Sequence, residues 1–181
     1  MINSLALVFG WKIYRINSLI VKYLLVFRGV KVGKNFYIQG IPFLKIRGPV
    51  KNIQIGHNVS IYGNIDLRNR ENGSIIIEDN VCFDKECRLV AANNAVLRFK
   101  SGADIGGYNI FNCGTNVTIG HETMIAGFCY VQSSNHGKSK NQTIKSQNHT
   151  YGEISIGDDC WLASHVTVTS GVRIEKGAIV G

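Results

Sequence analysis

The residue best placed for acid–base chemistry is His136, in the run Val131-Gln132-Ser133-Ser134-Asn135-His136. Imidazole takes up and releases a proton near neutral pH, so a fixed histidine can draw the proton from an alcohol and make its oxygen a nucleophile. Such a base needs its second nitrogen held. No Asp or Glu lies between Val131 and Tyr151, so a backbone carbonyl or a group from elsewhere is expected to hold it. The other histidines read differently. His57 and His121 follow Ile55 and Ile119 by two residues, at turn positions, and read as solvated; His165 follows Leu162 by three and points outward. His149 lies in a polar insertion, about 132–153, where it could touch an acceptor. Trp161, five residues after Ile156, also points outward, and an exposed tryptophan suits a ligand wall or an interface.

The five cysteines, Cys82, Cys87, Cys113, Cys129 and Cys160, form no C-x-x-C pair. Their number is odd, which argues against a disulfide framework and for a reducing compartment. Cys87, Cys129 and Cys160 recur at a fixed place in the pattern below and read as small hydrophobes rather than nucleophiles. The short apolar stretch from Leu5 to Trp11 lacks the basic start and cleavage site of a secretory signal, so a cytoplasmic location is expected.

What positions these residues is a repeat. Large apolar residues recur every six positions: Ile55, Ile61, Leu67; Ile77, Phe83, Leu89; Phe99, Ile105, Phe111; Ile119, Ile125, Val131; and Ile156, Leu162, Val168, Ile174, Val180. Four residues after most of them comes a smaller one, such as Val59, Val81, Cys87, Ala103, Cys129 or Cys160. A six-residue unit is one short strand and one tight turn. Three units close a triangular coil with the large residue inside and the small one at a corner. A single coil cannot bury its apolar face, so coils must stack, pairing their backbones along the axis at about 4.8 Å. The fold expected is all-β, a parallel β-helix over 30–181, with a weaker first coil at VKVGKNFYIQG and bulged corners such as RNRENGS.

Residues 1–29 are apolar with Lys12, Arg15, Lys22 and Arg28 interspersed, and Leu5, Val8, Phe9, Ile13, Ile16, Ile20, Tyr23 and Phe27 fall near one helical stripe. No run reaches the ~18 apolar residues of a membrane span. The segment reads as an N-terminal helical element packed on the solenoid or a neighbouring subunit, or as a basic helix in peripheral contact with a membrane. The net charge of +8 suits an anionic partner. Nucleic acid is not expected, because the cations do not alternate with stacking aromatics.

The stretches VTIGHETMIAGFCYVQSSNHG and ISIGDDCWLASHVTVTSGVRIEKGAIVG resemble the hexapeptide-repeat acyltransferases, above all the maltose and galactoside O-acetyltransferases and those of surface-polysaccharide synthesis. The resemblance covers 30–181 and implies a left-handed coil, a homotrimer with active sites between subunits, and acetyl-CoA as co-substrate. It places the catalytic histidine at His136, the tryptophan walling the CoA cleft at Trp161, and a backbone amide that meets the pantetheine arm at Ser164. The asparagine supporting catalysis in the sugar acetyltransferases falls on Gly106 by hexad frame; Asn109 and Asn112 stand close by, out of frame, as substrate-binding candidates. The acidic residue and first histidine of a D-H-x-H run are replaced by Ser133 and Ser134. Lys138, Lys140 and Lys145 in the insertion are candidates for CoA phosphates or an anionic acceptor.

The function implied is transfer of an acetyl group from acetyl-CoA to a sugar hydroxyl in surface-polysaccharide (O-antigen, capsule or exopolysaccharide) synthesis, without an acyl-enzyme, on a sugar or glycan acceptor at the inner face of the membrane. No metal is expected: the zinc carbonic anhydrases on this solenoid need three convergent histidines, and His121 and His136 stand 15 residues apart at different corners. N-acetylation of an amino or nucleotide sugar is one alternative. A non-catalytic solenoid or a truncated relative is another, because relatives continue past the coil that holds Gly181 with a segment that closes over CoA.

Overall fold

A computed structural model describes residues 2–181. The chain folds as a β-solenoid with two helices at its N-terminal end, and parallel strands stack into three faces. The first face has seven strands: Lys31–Val32, Ile53–Ile55, Ser74–Ile77, Val96–Phe99, Val117–Ile119, Ile154–Ile156 and Arg173–Ile174. The second also has seven: Tyr37–Ile38, Ser60–Ile61, Cys82–Phe83, Asp104–Ile105, Met124–Ile125, Trp161–Leu162 and Ile179–Val180. The third has six: Pro42–Ile46, Ile65–Asn69, Cys87–Ala91, Ile110–Cys113, Tyr130–Gln132 and Thr167–Thr169.

The hexad explains the register. Ile55, Ile77, Phe99, Ile119 and Ile156 stand over one another on the first face, and all are buried. The other two faces repeat this, so the prism is filled by layers of aliphatic side chains. Phe83, Phe99 and Phe111 stack through the middle edge to face, with centroids 5.0 and 4.9 Å apart, the arrangement that ring quadrupoles favour. Corners need the left-handed backbone region, which Asn tolerates better than most residues. Asn35, Asn58 and Asn80 supply it at successive coils and bond side chain to side chain at 2.9 Å each.

The open N-terminal end of such a coil would expose unpaired backbone groups. Helix α1 (Ile2–Phe9) leads into α2 (Lys12–Phe27), which closes it. Val21 and Leu25 of α2 are buried on the first coil. Ser18 Oγ accepts from the Ile38 N–H at 2.8 Å, Asn17 Nδ2 donates to the Ile38 and Gly40 carbonyls at 3.1 and 2.8 Å, and Lys22 Nζ donates to the Gly33 carbonyl at 2.6 Å. The polar residues of α2 thus satisfy the edge of the first coil. No helix among the described residues is long and apolar enough to cross a membrane.

Candidate functional site

The insertion leaves the solenoid at the end of the third face and returns as a hairpin arm. Its strands Ser134–His136 and His149–Tyr151 pair antiparallel, with His136 opposite His149. The root is fastened by Ser133, which is fully buried. Its Oγ accepts from the Gly114 and Thr115 N–H groups at 3.0 and 3.1 Å and donates to the Thr115 carbonyl at 2.9 Å. The Gly152 N–H returns to the Ser133 carbonyl at 3.1 Å. Gly114 lets the arm lie close: a Cβ there would stand 2.5 Å from the Tyr151 ring and 3.3 Å from Ser134. Further out, Gln147 ties the loop, accepting from the Ser139 N–H at 2.7 Å and donating to the Ser139 and Gln142 carbonyls at 2.9 and 3.2 Å.

This framing sets two imidazoles side by side. The His136 and His149 ring centroids are 4.3 Å apart, tilted by 40°, and the Tyr151 ring lies 6.3 Å beyond His149. Both histidines are exposed. The carbonyl or remote group expected to hold His136 is not found among the described residues; its ring neighbour is His149 instead. Sequence reading placed His149 near an acceptor but gave no hint of its pairing with His136, because an antiparallel register inside a polar loop leaves no periodic signal.

The other candidates are scattered. Trp161 projects outward from the second face between Met124 and Ile179, half exposed, on a different side of the prism from the arm. Ser164 stands exposed at the next corner, and its N–H makes no hydrogen bond among the described residues. Beside it runs a feature that sequence reading missed: Tyr108, Phe128 and His165 hold positive φ at successive corners and stack with near-parallel rings, 5.0 and 5.2 Å apart. Bulky residues rarely adopt that backbone region.

The asparagines divide. Asn109, taken from sequence as a substrate-binding candidate, occupies the small corner slot between Cys87 and Cys129 and is fully buried. Its Nδ2 donates to the Gly106 and Ala126 carbonyls at 2.8 and 2.9 Å and its Oδ1 accepts from the Cys129 N–H at 2.6 Å. It has no polar atom left for a substrate and is a corner residue. Asn112 points outward on the third face, half-buried, beside Gln132 in the next coil. Gly106 cannot be exchanged for an asparagine in place: a Cβ would stand 2.7 Å from the Gly127 nitrogen.

Four of the five thiols, Cys87, Cys113, Cys129 and Cys160, are buried. Cys87, Cys129 and Cys160 each point Sγ at a carbonyl one coil on, at 3.2, 3.1 and 3.1 Å. Burial pushes the Cys87 thiol up to about 12 and the Cys82 thiol up to about 11, so both stay protonated at neutral pH.

No protein-family model matches the chain. Named relatives do. A putative lipopolysaccharide biosynthesis O-acetyl transferase, WbbJ of Escherichia coli (strain K12), is 29% identical over 120 residues, 62% of this chain and 61% of that protein. A probable acetyltransferase of Mycobacterium tuberculosis, Rv3034c, is 28% identical over 93 residues, 51% of this chain and 31% of that protein. Among solved structures, the polySia specific acetyltransferase NeuO aligns over 84% of this chain and 69% of that one, with a TM-score of 0.45 and 19% identity. The matched region spans about three fifths of WbbJ and under a third of Rv3034c. In sequence, then, this β-solenoid is similar to proteins named as acetyltransferases, in keeping with its resemblance to the hexapeptide-repeat acetyltransferases.

Proposed function

We propose that this protein transfers an acetyl group from acetyl-CoA to a hydroxyl of a surface glycan. The observation that carries the reading is the arm: a polar insertion at the expected place in the repeat, held at its root by a buried serine, presenting His136 and His149 with rings 4.3 Å apart. His136 takes the proton of the acceptor hydroxyl as that oxygen attacks the thioester carbonyl. The tetrahedral intermediate collapses, the CoA sulfur leaves, and the imidazolium returns the proton to it. His149, its ring tilted against the base at 4.3 Å, restricts the orientation of His136. The Ser164 N–H binds the pantetheine arm, Trp161 walls the cleft, and Lys138, Lys140 and Lys145 face the phosphates.

His136 and Trp161 lie on different sides of one prism. A homotrimer, with the histidine of one subunit facing the tryptophan of the next, reconciles them. The test is thiol release from acetyl-CoA with an acceptor panel: His136→Ala should lower the rate by about 10²–10⁴-fold while leaving acetyl-CoA affinity intact. A variant as active as the wild type would sink the assignment.

The N-terminal helices add a location, the cytoplasmic membrane face. Away from the coil they expose Leu7, Val8, Phe9, Tyr23 and Phe27, the first and last close to 90% accessible. No Asp or Glu precedes Asp66, whereas nine Lys or Arg do. Apolar side chains ringed by cations suit an anionic bilayer surface. Pairing two such surfaces would bring like charges together. Co-sedimentation with phosphatidylglycerol vesicles but not with phosphatidylcholine vesicles is expected; equal retention by both, or by neither, would contradict it.

A further inference from the structure

The third face carries charge that the proposed transfer chemistry does not use. Lys45 and Arg68 are an in-register pair on adjacent coils, Arg47 and Arg70 follow just beyond the paired Ile46 and Asn69, and Arg88 lies on the next coil opposite Asp66. They line an open groove of about 410 Å³. Neighbouring strands stand about 4.8 Å apart, and alternate residues on one strand about 7 Å apart, so the cations form a compact grid. The carboxylate within this grid is Asp66, bonded to Arg68 at 2.6 Å and to Arg88 at 3.0 Å. Lys45, Arg47 and Arg70 have no ion pair among the described residues. Like charges packed this densely repel one another unless something anionic offsets them.

The groove also has a direction. Toward the C-terminal end its floor becomes neutral and polar, through Asn112 and Tyr130. Tyr130 Oη donates to Gln132 Oε1, and Gln132 Nε2 donates to the Ser134 carbonyl at 2.7 Å, at the root of the arm. Arg70, Ala92 and Gly114 succeed one another at one corner, so the last cation at that corner, Arg70, stands two coils, about 10 Å, before the residue on which the arm rests, and Arg88 stands one coil before it. One continuous surface runs from the cationic grid to the strand that carries His136. Phe43 and Ile110, beside the grid, offer apolar patches for the faces of sugar rings.

We propose that the groove binds the anionic groups of an acidic glycan, carboxylates or phosphates borne on successive sugars, and that this chain is the acceptor whose hydroxyl reaches His136. The inference rests on the transferase reading for the word acceptor, but not for the binding itself. Guanidinium groups match both anions through paired N–H donors, and charges on successive sugars would meet successive cations.

The test uses the full chain and calorimetric titration with three probes: hexagalacturonate, oligo(glycerol phosphate) and neutral maltohexaose. The double variant Arg47→Gln/Arg70→Gln is titrated beside the wild type; both residues are exposed, and an unchanged melting temperature verifies the fold. Saturable binding of either acidic probe, weakening as salt rises and at least tenfold weaker in the double variant, supports the groove and names its preferred anion. Binding of neither acidic probe, equal binding of maltohexaose, or an unaffected double variant overturns it. Acetyl-CoA is titrated in parallel. If it fails to bind while an acidic probe does, the transferase reading falls and the groove stands; if it binds and no acidic probe does, the reverse holds.

Discussion

Replacing Ser133 with alanine tests whether the arm is held as described. Its hydroxyl is fully buried, accepts two backbone N–H groups and donates to one carbonyl, at 2.9–3.1 Å. Alanine removes these partners and adds none, stranding two donors and an acceptor at Gly114 and Thr115. A buried polar group without a partner costs about 1–3 kcal/mol. Gly114 and Thr115 are half-buried, so water recovers part of this, and a loss of about 2–4 kcal/mol is expected. At about 2–4 °C per kcal/mol for a domain of this size, the melting temperature by circular dichroism should fall by roughly 5–15 °C. The arm would also lose its register against the coil, and misplacing a base by about 1 Å can cost 10²-fold in rate. A shift under about 2 °C with unchanged thiol release would refute the claim that Ser133 fixes the arm.

Further expectations are independent of that one. Gly114→Ala puts a methyl 2.5 Å from the Tyr151 ring; because Tyr151 is exposed, stability should change by less than about 1 kcal/mol while acetyl transfer falls by tenfold or more, a split between calorimetry and turnover. Phe99→Ala empties the middle of the aromatic stack and should cost about 3–5 kcal/mol, read from denaturant unfolding. Thiol reagents should leave Cys87 unlabelled at pH 8 in the folded protein, because burial pushes it up to about 12, and label it once unfolded. Burial raises the Glu78 pKa, but hydrogen bonds from Arg98 and Ser101 and the Arg98 charge lower it further, for a net depression. Its ion pair therefore contributes stability above the unfolded value of 4.5 and loses it as pH falls through the lower folded value. The stability gap to Glu78→Gln should close over that interval.

The solenoid was legible because its constraint is local and repeated. Each inward Ile, Leu or Phe stands six residues from the next, and the structure stacks Ile55, Ile77, Phe99, Ile119 and Ile156 as that spacing requires. Asn109 is not legible as a corner residue because that slot mostly holds apolar side chains such as Val59, Val81, Ala103 and Cys129, with Thr123 the other buried polar one. An asparagine fits there only when three backbone groups, one from its own coil and two from the next, converge on it, and spacing alone does not reveal that. The His136–His149 pairing was hidden for a related reason: hydrogen bonds at Ser133 and Gln147 set it, not an apolar period. The cationic grid escaped because Lys45, Arg68 and Arg88 are far apart in sequence and meet only through coil stacking. The role of Asn17 and Ser18 in closing the first coil was equally invisible, since their partners are carbonyls and an amide 20–23 residues away.

The most direct test of the central claim is calorimetric titration of acetyl-CoA into the wild type, His136→Ala and Trp161→Ala. A transferase with a separate base shows saturable binding to the wild type, unchanged affinity after loss of His136, and weaker affinity after loss of Trp161. No binding by the wild type at millimolar acetyl-CoA would contradict the claim.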